Sequence, residues 1–159
     1  MKTLRKRHHG FTLIELLIVI AVIAILAALA IPNLLGSRKA ANETSAISQL
    51  RTIMSQQELF KSRNMNGDGT YGTLAQLETN NLVRWPTSGS YVKSGYVFSD
   101  LVASPTAASW AVKADPIQPG TSGDRYFAAS ADGFVRERSA DDGAFTLDNL
   151  TASESKVVQ

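Results

Sequence analysis

The sequence predicts an α+β protein: one long N-terminal α-helix, apolar in its first half, packed through its second half on a small antiparallel β-sheet head. Three observations predict it. Residues 16–31 contain no polar side chain. Beyond them, apolar residues recur every three or four positions, the period of an amphipathic helix. From Tyr91 onward, short aromatic and β-branched runs alternate with Gly, Pro, Ser and Asp clusters, the texture of strands and turns.

Counted from Phe11, the apolar stretch has only Thr12 and Glu15 as polar members. Its 21 residues make a helix of roughly 31 Å, close to the ~30 Å hydrocarbon thickness of a bilayer. Glu15 is costly in such a helix unless it is paired, so it is a candidate functional residue with a partner to be found. Four basic residues, Lys2, Arg5, Lys6 and Arg7, precede the stretch, and only Arg38 and Lys39 follow closely. The positive-inside rule then predicts a cytoplasmic N-terminus and an exported body.

The second half of the helix is predicted from Ile47, Leu50, Met54 and Leu59 or Phe60, with Arg51, Gln56 and Lys61 on other positions. The whole element would run over residues 11–63, about 80 Å at helical rise. Pro32 lacks a backbone donor and is expected to kink it. Asn64, Asn66, Gly67, Asp68 and Gly69 end it. The spacing of Asn64, Asn66, Asp68 and Gly69 matches the start of a calcium loop, but its twelfth position is Ala75 rather than Glu, and a helix cap and turn accounts for it. A short helix is expected at residues 73–80, with Leu74 and Leu77 inward. Strands are expected at Tyr96-Val97-Phe98, Trp110-Ala111-Val112, Tyr126-Phe127-Ala128 and Phe134-Val135-Arg136, with their aromatics in the core. Asp132-Gly133 signals a hairpin between the last two. The tail from Ser139 is polar apart from Phe145, Leu147, Leu150, Val157 and Val158, and is expected to cover a sheet edge.

Composition narrows the function classes. At 159 residues the chain holds one domain plus an anchor. There is no cysteine, and both histidines, His8 and His9, lie in the first ten residues. The body therefore lacks the commonest catalytic bases, nucleophiles and soft metal ligands, and no enzymatic activity is expected. Removing the four early basic residues from the 16 Lys and Arg leaves 12 against 14 acids, so the basic pI belongs to the leader. Arg136 and Arg138 share a strand face, but Glu137 separates them and no nucleic-acid stripe is predicted. Adjacent acids such as Asp141 and Asp142 would face opposite sides of an extended strand. No cofactor is expected; Asp132, Asp141 and Asp142 read as residues of solvated acidic turns, with calcium in an acidic loop as the alternative. Asn42-Glu43-Thr44 and Asn149-Leu150-Thr151 match the glycosylation pattern.

Three readings of the N-terminus compete. One is a secretory signal cut at Ala28-Leu29-Ala30 to free the chain at Ile31, against which stand Glu15 and the length of the apolar run. Another is an uncleaved anchor for a periplasmic domain, including the anchored-enzyme case. The third is a leader cut before the apolar segment, which keeps the helix on the product.

The stretch Gly10-Phe11-Thr12-Leu13-Ile14-Glu15-Leu16-Leu17-Ile18-Val19-Ile20, followed by Ala30-Ile31-Pro32-Asn33-Leu34-Leu35, resembles the N-terminus of type IV pilins and type II secretion pseudopilins. The resemblance is dense over about residues 5–45 and weak in the head. It implies the pilin fold and cleavage by a prepilin peptidase between Gly10 and Phe11, with N-methylation of Phe11. It also implies roles for Glu15, Phe11 and Pro32 in assembly. In the family the acid pairs with the N-terminal amine of a neighbouring subunit. Here residues 11 and 15 are four apart, so one helix could satisfy the pair internally, and the sequence leaves both open. The domains implied are a leader (1–10), a transmembrane and polymerisation half-helix (11–32), an amphipathic half-helix (33–63), and loop, sheet and tail (64–159), the last two forming one head.

The implied function is a structural subunit of a pilus-like filament, with a type II secretion pseudopilin as the alternative. The implied partners are copies of itself, prepilin peptidase, the inner membrane, and an assembly platform with its ATPase. The chain itself has no phosphate-binding loop. The implied location is the inner membrane with a periplasmic head, then a surface pilus or periplasmic pseudopilus. Two departures stand out. The disulfide that closes a C-terminal loop in many pilins has no counterpart, and Asp115-Pro116-Ile117-Gln118 keeps only two letters of the Asp-Pro-Trp-Gly segment usual in major pseudopilins.

Overall fold

The computed structural model describes residues 11–150 and 156–158. Backbone contacts divide the chain into a unit ending at Gly36 and a unit beginning at Ser37. Helix α1 covers Leu13–Ser62, as expected to within two residues at its start and one at its end.

In the second unit, α1 buries Glu43, Ala46, Leu50, Ile53, Gln57 and Phe60, a seam at alternating intervals of three and four. The sequence pattern had placed Ile47 and Met54 on that seam; they are half-buried on its flanks. The helix ends in a Schellman motif. Asn64 takes a left-handed φ of 50°, Asn64 N bonds Lys61 O at 2.9 Å, and Met65 N bonds Phe60 O at 3.2 Å. Asparagine suits this position because its short polar side chain tolerates the left-handed region. Helix α2, Leu74–Thr79, opens with a capping box between Thr73 and Gln76 and buries Leu74 and Leu77. The Gln57 side-chain amide, fully buried, pairs with both backbone groups of Gly72, at 2.9 Å to its N and 2.6 Å to its O. Each buried polar group in that pair satisfies the other.

The sheet is a six-stranded antiparallel meander in sequence order: β1 Val92–Lys93, β2 Tyr96–Asp100, β3 Ala111–Pro116, β4 Arg125–Ser130, β5 Val135–Ser139 and β6 Lys156–Val157. Four strands are those expected, and the two-residue β1 and β6 are additional. Ser94 and Gly95, at φ 48° and 75°, join β1 to β2 as a two-residue turn of the type that matches strand twist. The tail covers the β5 edge as expected, through β6 and the bond from Val158 N to Val135 O at 2.8 Å.

Successive strand residues face opposite sides, and here both sides are covered. Tyr96, Phe98, Val112, Ala114, Phe127, Ala129 and Val135 form the main core with the α1 seam. Ala111 and Ala128 face the other way and meet Phe145 and Leu150, brought over by a 3-10 turn at Ala140–Asp142 and the short α3, Leu147–Leu150. One expected core aromatic is not in the core: Phe134 is 51% exposed in the turn between β4 and β5, where Gly133 supplies a φ of 84°. Trp110 is buried but precedes β3 rather than starting it.

Candidate functional site

The N-terminal unit carries the residues singled out for processing and assembly. Gly10 lies outside the described residues. Phe11 precedes the helix and is 84% exposed. Glu15 is tied to Thr12. Its Oε2 accepts from Thr12 N at 2.8 Å and from Thr12 Oγ1 at 2.7 Å, while Glu15 N approaches Thr12 Oγ1 at 3.3 Å. This is a capping box with Thr12 at the N-cap and Glu15 three residues on, and it satisfies donors that a helix start leaves unpaired. The Thr-x-x-Glu spacing at residues 12–15 is the sequence signature of this box. The structure therefore gives Glu15 a local partner within its own first turn.

Consecutive apolar residues of α1, among them Leu13, Ile14, Leu16, Leu17, Ile18 and Val19, are all about half exposed or more. Consecutive positions cover every direction around a helix, so this segment has no polar face for water. It is long and apolar enough to cross a membrane. Pro32 falls inside α1, whose span runs on to Ser62.

The prokaryotic N-terminal methylation motif matches residues 5–31. Over that stretch the chain is similar to the N-terminus of type IV pilins and type II secretion pseudopilins. The similar proteins fall into the same two groups. The type IV wide pilus major component PilA4 of Thermus thermophilus is 50% identical over 68 residues, 43% of this chain and 52% of that protein. The type II secretion system core protein G of Dickeya chrysanthemi is 32% identical over 98 residues, 59% of this chain and 61% of that protein. Core protein G of Klebsiella pneumoniae is 29% identical over 143 residues, 89% of this chain and 97% of that protein. The chain thus spans between half and two thirds of the length of the first two. A pilin-type N-terminus and an α+β head with a small antiparallel sheet are what this chain shares with the expectation drawn from its sequence, the sheet having six strands where four were expected.

The head contains a charged centre that sequence reasoning missed. Glu43, 6% exposed on the α1 seam, accepts from Asp124 N at 2.7 Å and from Arg125 Nε and Nη2 at 3.0 and 2.8 Å. Arg125 Nη1 reaches Glu137 on β5, and Lys156 Nζ on β6 lies 3.8 Å from Glu137. Lys39 pairs with Asp124 at 2.7 Å. Burial works against the Arg125 charge, but Glu43 and Glu137 outweigh it and hold the guanidinium above its ordinary pKa. The available signal was periodicity: Glu43 and Gln57 occupy seam positions, where a polar residue needs a buried partner.

The other candidates are dispersed. Asp132 pairs with Arg136 at 2.5 Å and accepts from Ser130 Oγ and Phe134 N. Asp141 and Asp142 lie in the exposed 3-10 turn. The Arg138 guanidinium sits over the Phe145 ring at 5.9 Å. The amide nitrogens of both glycosylation patterns are engaged, Asn42 with Ser122 O at 2.9 Å and Asn149 with Ala144 O at 3.3 Å.

Proposed function

We propose that this chain is the structural subunit of a type IV pilus-like filament, stored in the inner membrane with its N-terminus cytoplasmic and its head periplasmic. Prepilin peptidase would cut after Gly10 and methylate Phe11. The single observation that carries this reading is one helix start: within the methylation motif over residues 5–31, α1 begins at Leu13 and exposes apolar side chains in every direction, with one acid at position 15. Such a helix requires lipid or other helices around it, and a filament made of its copies supplies the second. Cleavage would create an ammonium at Phe11, which a neighbour's Glu15 can neutralise as lipid is exchanged for protein. Pro32 removes one backbone hydrogen bond from α1 and is the position at which the helix can adjust to that packing. The work of extraction belongs to a separate platform protein and ATPase.

A second reading, a type II secretion pseudopilin, is favoured by the alignment with core protein G of Klebsiella pneumoniae, which covers 89% of this chain. Intact mass and N-terminal sequencing of membrane-extracted protein test the shared part of both readings. The expected chain begins at methylated Phe11; a chain beginning at Ile31 would mean ordinary secretion and would sink both. Electron microscopy of the cell surface separates the two, since a pilus subunit gives external filaments whose loss on deletion leaves protein secretion intact.

A further inference from the structure

In the unit that begins at Ser37, the first turns of α1 are bound to the loop between β3 and β4. Lys39 Nζ pairs with Asp124 at 2.7 Å, Asn42 Nδ2 donates to Ser122 O at 2.9 Å, and Glu43 accepts from Asp124 N at 2.7 Å. The 117–123 loop is therefore fixed at the end of the head where the chain enters it. The other end lies beside Met54, Ser55 and Glu58, which share a cavity of about 240 Å³ with Trp110 and Gly133. The two ends are roughly 20 Å apart along the helix.

Ile117 is 55% exposed, more than any other large apolar side chain described in the head. A single exposed apolar residue is ordinary in itself, and its setting is what distinguishes this one. Gln118, Pro119, Gly120 and Thr121 beside it are all exposed, and residues 117–123 carry no charge. The loop is nevertheless ordered. Ile117 N donates to Gly95 O at 2.9 Å, Thr121 N and Ser122 N donate to Gln118 O at 3.0 and 2.8 Å, and Gly120 N donates to Gly123 O at 2.9 Å. Gln118 N donates to Ser122 Oγ at 3.0 Å. With so much of its backbone paired internally, the loop loses little on leaving bulk water, while Ile117 is held outward. The nearest acid, Asp124, is neutralised by Lys39, and Arg38 next to Lys39 is exposed.

The chain itself limits how far this end can stand from lipid. Lys39 is seven residues beyond Pro32, the end of the membrane-spanning segment, and seven residues reach at most about 25 Å at full extension, whatever angle the two units adopt. The headgroup layer extends about 5–8 Å beyond the hydrocarbon on each side. We propose that the 117–122 loop and Arg38 form a surface that rests on the phospholipid headgroup layer of an anionic bilayer. Ile117 enters the acyl boundary, the polar groups of the loop lie among the headgroups, and the Arg38 guanidinium contacts lipid phosphate. This inference rests on the membrane-stored subunit of the filament reading, and it specifies how the head meets the membrane before assembly.

The test places the full chain in nanodiscs of phosphatidylcholine and phosphatidylglycerol, with a phosphatidylcholine bearing a nitroxide on its headgroup, and reads amide NMR signals. The Gln118, Gly120 and Thr121 amides should lose intensity while Gly133 and Phe134 keep theirs. Ile117→Ser, a change at an exposed position that leaves the loop's backbone bonds in place, should restore the lost signals. Ile117→Trp should deepen the loss, since indole favours the interface. Arg38→Gln should reduce the loss to the level seen in pure phosphatidylcholine; no effect would strike Arg38 from the surface. Retention of the chain in vesicles through an alkaline carbonate wash reports membrane storage alone. A retained chain with equal loss at both ends of the head, or with a loss unchanged by Ile117→Ser, overturns the resting surface and leaves the filament reading standing. A chain released by the wash overturns membrane storage and this inference with it.

Discussion

Glu15 Oε2 accepts hydrogen bonds from both the backbone nitrogen and the hydroxyl of Thr12, at 2.8 and 2.7 Å. The acid at the head of the apolar helix is therefore a helix cap in a chain whose Phe11 nitrogen is still an amide. Cleavage would convert that nitrogen to an ammonium and offer the carboxylate a charged competitor. Capping and charge pairing can be separated by substitution. Glu15→Gln keeps a side-chain acceptor three residues from the cap, so the helix should still start at residue 13, as read by backbone chemical shifts in micelles. It cannot neutralise an ammonium, so filaments should be lost or sparse in electron micrographs. Thr12→Ala should do the reverse, loosening the first turn while filaments still form. Normal filaments from Glu15→Gln would remove the charge role.

The two kinds of information in the sequence were legible to different degrees. The apolar run and its acid could be read directly, because a bilayer imposes length and composition with few alternatives. The strands at Tyr96, Ala111, Tyr126 and Val135 were legible as alternating runs, since each buries one or both faces. Phe134 was misplaced because a hairpin signal at Asp132-Gly133 fixes a turn without saying how many residues the turn takes; here Phe134 falls within it. The outer layer of Phe145 and Leu150 was not legible, because two apolar residues in a polar tail carry no period. Glu43 and Arg125 are 82 residues apart, and nothing local couples them.

That pair is the next prediction. Glu43→Ala leaves the Arg125 guanidinium and the Asp124 amide without their shared acceptor. Hydrogen bonds to charged groups contribute about 1.5–3 kcal/mol, and Arg125 is partly solvated, so a loss of about 2 kcal/mol is expected in urea unfolding. Because Glu43 is largely shielded, raising the salt should recover little of the difference between the two proteins. Arg125→Ala in the Glu43→Ala background should cost less than it does alone, which a double-mutant cycle would read as coupling.

Asp100 gives a pH signature. Burial pushes its carboxyl above the ordinary range, and the bonds from Leu74 N at 3.1 and 3.2 Å only partly oppose this. A carboxyl with a raised folded pKa favours the folded state most when it is protonated. Its contribution is fully present below the unfolded value of about 3.9 and is lost as pH rises through the folded pKa. Asp100→Asn stays neutral throughout and keeps an acceptor for Leu74 N. It should therefore unfold at higher urea than the parent at pH 7, and the two should converge as pH falls toward about 4. Asp132 runs the other way. Burial raises it, but the hydrogen bonds from Arg136 and Ser130 and the Arg136 charge outweigh burial and leave it lowered, so its contribution is present at neutral pH and lost in acid. An Asp100→Asn curve parallel to the parent at every pH would show that Asp100 is not the group responsible.

Gly123 and Tyr96 test how closely the β2 to β4 region is packed. A Cβ on Gly123 would lie 2.0 Å from the Tyr96 hydroxyl oxygen and 2.7 Å from the carbon that bears it. Tyr96 cannot swing aside, because its ring is fully buried and its hydroxyl donates to Arg125 O at 2.8 Å. Gly123→Ala should therefore destabilise the head by about 1–3 kcal/mol, the ordinary cost of overpacking a core. Tyr96→Phe alone should cost about 1 kcal/mol for the lost hydrogen bond. Together the two should cost less than their sum, because removing the hydroxyl also removes the shortest contact. The relief should be partial, since the 2.7 Å approach to the ring carbon remains. Additive costs in denaturant unfolding would mean that the backbone at Gly123 moves away and that the close packing is not a constraint on this part of the head.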